Sequence, residues 1–123
     1  TIEAQIEAGT YSFNVFVTHL GNGGPSIQQE AIIEDLKGKN NIILMGDFNF
    51  RPDTPQYGNT TLVLNDSWVL ARATAIEYLD DLEYNINQRI DHIFVSSEIS
   101  VSECRFIVSK ESDHPAVWAS IKL

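Results

Sequence analysis

Cysteine is almost absent from this sequence. Cys104 is the only one, so no intrachain disulfide can form, and the residue fits a small buried apolar position in a strand. Basic residues are scarce as well: 8 lysines and arginines stand against 17 acids, a formal charge of −9. No long-range field therefore draws a nucleic-acid backbone to the chain. A phosphorylated substrate stays open, because bound divalent cations invert the local sign of an acidic cleft. Long apolar runs are missing too, the stretch Ile42 to Met45 being far too short to cross a bilayer. Residues 1–9 carry no basic region followed by an apolar one, so no leader is read there. Thr1 leads straight into strand-like alternation, and the expectation is a segment of a longer protein.

What is present fits a single globular unit. A chain of 123 residues with 43% hydrophobic and 20% charged residues makes one domain, with no linker, repeat or low-complexity tract. Phe13, Val15 and Val17 alternate with Ser12, Asn14 and Phe16, predicting a strand from Tyr11 to Thr18 that ends at His19, with Ile2 to Ile6 as its hairpin partner. Gly21, Gly23, Gly24 and Pro25 break the chain before a helix over Ser26 to Leu36, stopped by Gly38. Ile42 to Met45 reads as a strand buried on both faces. A helical turn is expected at Thr60 to Leu64, and Val69 to Tyr84 is ambiguous between a helix and a capping loop. Three strands close the chain, at Ile90 to Ser96, Val101 to Val108 and Pro115 to Leu123.

Polar residues collect where these strands begin or end. His19 and His114 both lie at strand ends beside carboxylate-bearing loops, a placement shared by active-site rims and by plain surface histidines. Asp47 and Asn49 follow an apolar strand two residues apart, so both side chains project to one side, as ligands of a hard cation or a phosphate would. For Gly46-Asp47-Phe48-Asn49 taken alone, an Asx-turn closing the strand is the favoured reading. Asp91 shares the apolar face of its strand with Ile93 and Val95, and a buried carboxylate needs a partner. Either the His114 imidazole, oriented as a general base, or the nearby Arg89 would serve. Ser112-Asp113-His114-Pro115 sets a carboxylate and an imidazole side by side at a strand start fixed by proline.

In order, Thr18-His19-Leu20, Gly46-Asp47-Phe48-Asn49, Arg89-Ile90-Asp91-His92-Ile93-Phe94 and Ser112-Asp113-His114-Pro115 resemble the C-terminal motif series of the endonuclease/exonuclease/phosphatase superfamily, the DNase I-like proteins. The resemblance covers nearly the whole chain and implies an α/β fold, half of a four-layer α-β-β-α sandwich. Residues 1–123 would be the C-terminal half, a single mixed and mainly antiparallel sheet with helices on one face. By the same resemblance, His19 contacts the scissile phosphate and acts as acid, and Asp47 and Asn49 bind phosphate, water or a metal. Asp91 orients His114 as general base, and Asp113 lies at or near the metal, Mg²⁺ or Mn²⁺.

The departure is upstream. The family's N-terminal half supplies an Asn and a Glu that is a principal Mg²⁺ ligand, and Glu3 and Glu7 lack that context, reading as solvent-facing strand or turn residues. The implied function is metal-dependent hydrolysis of a phosphoester in a lipid, nucleotide or nucleic acid, incomplete in this chain alone. The implied partners are the missing half, or a second copy bound through the exposed sheet face. Two other readings stand beside it: an inactive module that keeps the fold to bind phosphorylated lipids or proteins, and a lipid-associated member close to the sphingomyelinase-like branch.

Overall fold

Period-two alternation at the N-terminus becomes a hairpin, β1 (Ile2–Ala8) and β2 (Tyr11–His19), in the computed structural model, which describes residues 1–123. Ile2 pairs with Val17 and Ile6 with Phe13, and Gly9 turns the chain at φ +63°. Helix α1 (Ser26–Leu36) has the expected bounds and buries Gln29, Ile32 and Leu36 on one face. Gly38 follows it at φ +75°, a conformation that stops a helix with little steric penalty in glycine. The chain returns as β3 (Ile42–Asp47), parallel to β2.

Helix α2 (Pro55–Thr61) starts earlier than the turn expected at Thr60, because the Thr54 hydroxyl caps it by accepting the Tyr57 N–H and Pro55 occupies its first turn. A two-residue strand β4 (Asn65–Asp66) leads into the short helix α3 (Ser67–Leu70), whose N-cap Asp66 accepts the Trp68 N–H. The ambiguous stretch Val69 to Tyr84 is no continuous helix but carries a strand between irregular segments. Its residues Ala73–Tyr78 form β5, since pairing along β7 (Ser100–Val108) outweighs their helical propensity. Strands β6 (Asp91–Val95) and β8 (Ala116–Lys122) complete the set.

The expected single sheet is corrected to two. Strands β1-β2-β3-β6-β4 form one and β5-β7-β8 the other, because α3 turns the chain out of the first layer after β4. Four pairings are antiparallel and two parallel, so both sheets are mixed and mainly antiparallel pairing holds.

The two faces of the five-stranded sheet differ. Phe16, Leu44 and Phe94 stand in register across β2, β3 and β6 and pack with Ile32, Leu36, Phe48 and Phe50 under the helices. Each such side chain contributes about 1.5–3 kcal/mol of burial. On the opposite face Ile43, Ile93 and Val95 meet Val101, Ala119 and Ile121 of the second sheet. That cover is partial: Ile2, Ile6 and Val17, on the same face, remain 72%, 49% and 45% exposed.

Candidate active site

Three polar residues form a row across the partly covered face. His19, Asp47 and Asp91 are register partners on β2, β3 and β6, at the ends of the strands. Alternation that buries Phe16, Leu44 and Phe94 on the helix side turns these three toward the second sheet. His114 approaches from the loop before β8 and completes the group. Its Nδ1–H donates to Asp91 Oδ2 at 2.8 Å, and its Nε2 lies 3.8 Å from Asp47 Oδ2. His19 Nε2 lies 3.3 Å from that same oxygen, on a side chain 75% exposed. An open cleft of about 260 Å³ runs between Val17, Met45, Asp47, Asp91 and Pro115.

Asp47 divides its two oxygens between the two roles that Gly46-Asp47-Phe48-Asn49 left open. Oδ1 accepts the Asn49 N–H at 2.9 Å, an Asx-turn, while Oδ2 faces both imidazoles. Asn49, at φ +53°, donates its side-chain amide to the Leu20 carbonyl at 2.7 Å and so holds the segment that follows His19. Phe48 enters the core, and its N–H bonds to the Ile90 carbonyl beside Asp91. Gly46 sits at φ +144°, with the Thr18 carbonyl oxygen 1.9 Å from where a Cβ would be. No larger residue allows β2 and β3 to approach this closely.

The electrostatics follow from burial and pairing. Burial pushes the Asp91 carboxyl above its usual range, the His114 hydrogen bond opposes that shift, and the charge of Asp47 adds to it. His114 is raised, first by its hydrogen bond to Asp91 and then by that carboxylate's charge. The arrangement fixes the ring with Nδ1 protonated and Nε2 turned toward Asp47, which suits an imidazole taking a proton at Nε2.

Asp47, Asp91 and His114 bring three ligand atoms within 4.8 Å of one another. Asp113 stands outside that trio, exposed in the loop beside His114. Glu3 and Glu7 lie on exposed positions of β1, and Glu3 pairs with Lys39 at 2.7 Å.

Arg89 is not the partner of Asp91. Its guanidinium turns into the core and bonds Asp66 Oδ2 at 2.8 Å and the Ile86 carbonyl at 3.0 Å, while Tyr57 donates to Asp66 at 2.6 Å. Tyr84, stacked on Phe106, has its hydroxyl pushed up to about 12, first by burial and then by the charge of Asp91. Sequence reasoning missed Asp66, Tyr57 and Tyr84. Only Asp66-Ser67-Trp68, a helix-start pattern, carried a local signal.

Residues 17–114 match the model of the Endonuclease/Exonuclease/phosphatase family. The chain belongs to that family. No curated protein matches the sequence. Among solved structures, an endonuclease/exonuclease/phosphatase from Bacteroides vulgatus is 24% identical with a TM-score of 0.70, over 91% of this chain and 48% of that one. A mannosyl-6-phosphatase from Bacteroides thetaiotaomicron is 26% identical with a TM-score of 0.68, over 94% and 53%. A conserved protein of unknown function from Enterococcus faecalis is 21% identical with a TM-score of 0.74, over 92% and 51%. The chain thus spans about half the length of these three proteins. No helix is long and apolar enough to cross a membrane.

Proposed function

We propose that the domain completed by the half this chain lacks hydrolyses phosphoester bonds, with Asp91 and His114 as its water-activating dyad. The observation that carries this reading is the 2.8 Å bond from His114 Nδ1–H to Asp91, which leaves Nε2 on the Asp47 side, 3.8 Å from Asp47 Oδ2. His114 Nε2 takes a proton from water, whose oxygen bonds to phosphorus. The bond from phosphorus to the leaving oxygen breaks, and that oxygen is protonated from the His19 side. The likeness to a mannosyl-6-phosphatase supports a phosphorylated substrate, and the charge of −9 favours one smaller than a nucleic acid.

The donor set fits a hard divalent cation, Mg²⁺ or Mn²⁺. Asp47 Oδ2 is free of backbone hydrogen bonds and would hold the cation, and the family resemblance suggests Asn49 and Asp113 as further donors of this chain. The cation, when bound, neutralises charge on the phosphate oxygens. Remaining ligands would come from substrate, water and the Glu of the complementary half.

The same half would cover Ile2, Ile6 and Val17 and pair along β8, one of the two edges of the three-stranded sheet. Without it the exposed face is expected to drive self-association, and a clean monomer by light scattering would contradict that.

The test is Mg²⁺-dependent hydrolysis of a generic phosphodiester and a phosphomonoester. The chain is assayed alone and co-expressed with an N-terminal half, with His114→Ala as control. Turnover in the reconstituted wild type, lost in His114→Ala, supports the reading. No turnover in any sample would instead favour a phosphate- or lipid-binding module.

A further inference from the structure

His114 is carried by a loop with few outside supports. Between β7 and β8, Ser112 N–H bonds to the Ser109 carbonyl, Glu111 N–H to the Ser109 hydroxyl, and His114 N–H to the Ser112 hydroxyl, all within the loop. Two residues from outside bond to it. One is Asp91, through the imidazole itself. The other is Asp80, whose Oδ2 accepts the Lys110 N–H at 2.8 Å and the Ser109 hydroxyl at 3.3 Å.

Asp80 lies second in the connection that leads from β5 to Asp91. At its start Leu79 N–H bonds to the Val108 carbonyl at the end of β7, and at its far end Arg89 is locked to Asp66 in the core. The interior bonds are local, from Leu82 N–H to the Asp80 carbonyl and from Gln88 N–H to the Asn85 carbonyl. One segment therefore grips the His114 loop at one end and enters the Asp91 strand at the other.

We propose that Asp80 is a positioning residue, which holds the Ser109–His114 loop so that the imidazole reaches Asp91 with Nδ1 as donor. The proposal rests on the dyad reading above. A loop released at Ser109 and Lys110 retains only the imidazole bond, so the ring samples other orientations and the other tautomer. Displacements of this kind lower rate more than substrate affinity.

The test uses the whole chain with ¹⁵N-labelled histidine, the His114 signals being assigned by their loss in His114→Asn. Ring nitrogen shifts near pH 8 report which nitrogen carries the proton. The wild type is expected to hold His114 in the Nδ1–H form. Asp80→Ala shifts it toward the Nε2–H form, with the buried His92 signals unchanged as the fold control. Asp80→Asn, which keeps one acceptor oxygen, restores most of the wild-type pattern. In the reconstituted enzyme Asp80→Ala lowers kcat about tenfold or more with KM nearly constant. An Asp80→Ala chain with the wild-type tautomer overturns the role of Asp80 alone. A wild type lacking the Nδ1–H form overturns the dyad and this inference together. A tautomer shift without turnover in any sample supports the positioning role and removes the hydrolytic reading.

Discussion

Asp91 and His114 join two different sheets through one hydrogen bond of 2.8 Å. Asp91 opens β6 of the five-stranded sheet, and His114 precedes β8 of the three-stranded one. The dyad therefore exists only when the two layers are correctly stacked. If the proposed dyad acts as one unit, Asp91→Asn and His114→Ala should each reduce turnover of the reconstituted enzyme by roughly 10² to 10⁴. The double variant should be little worse than His114→Ala alone. The pair is partly buried, with the His114 and Asp91 side chains 38% and 16% exposed, so each variant should cost about 1–3 kcal/mol in thermal melts. Wild-type turnover in Asp91→Asn would refute the assignment.

Gly46 controls the other half of the row. A methyl group there would lie 1.9 Å from the Thr18 carbonyl oxygen, a backbone atom of the neighbouring strand that cannot swing aside. The φ of +144° is a second obstacle for any L side chain. Gly46→Ala should destabilise the chain by more than the roughly 1–3 kcal/mol of backbone strain alone, because it also parts β2 from β3. The register pair His19 and Asp47 lies one residue further along. Denaturant unfolding that shows less than about 1 kcal/mol of loss would mean the ladder adapts.

Strands with alternating or wholly apolar residues were legible in the sequence, and so was α1, because Pro25 and Gly38 bracket a helical spacing. The division into two sheets was not. It depends on α3, a helix of four residues, and on pairing between β5 and β7, whose register partners stand 30 residues apart. At the site, local motifs pointed to Asp47, Asn49, Asp91 and His114. The choice between Arg89 and His114 as partner of Asp91 turned on where the Arg89 guanidinium went. Asp66, 23 residues away, decided it.

Breaking that buried pair should be expensive. Arg89 and Asp66 are both almost fully enclosed, and Arg89→Ala leaves the Asp66 carboxylate with only Tyr57 and the Trp68 N–H. A loss of about 3–5 kcal/mol in urea melts is expected. Replacing both by apolar residues of similar size, Arg89→Met with Asp66→Leu, removes the stranded charge. That double variant should lose only the α3 cap and the Tyr57 hydrogen bond, about 1–3 kcal/mol. Arg89→Ala no less stable than the double variant would show that the charge is not stranded.

His92 gives the fold a pH dependence that can be isolated. Its ring is buried among Phe48, Phe50, Tyr57 and Phe94, with Nε2–H donating to the Phe50 carbonyl at 3.0 Å and Nδ1 without a partner. Burial lowers its pKa below 6.5, so the folded chain takes up this proton later than the unfolded chain as pH falls. Its contribution is therefore complete above the unfolded value near 6.5 and is lost progressively below it. His114 acts in the opposite sense: with a raised pKa, its contribution is complete below 6.5 and disappears as pH rises through the folded value. A wild-type melt mixes the two. His92→Gln keeps an amide nitrogen within reach of the Phe50 carbonyl and removes the titration, so the variant should lose less stability than wild type between about pH 7.5 and about pH 5. The same loss in both proteins over that interval would mean that the His92 ring takes its proton in the folded chain as readily as in the unfolded one.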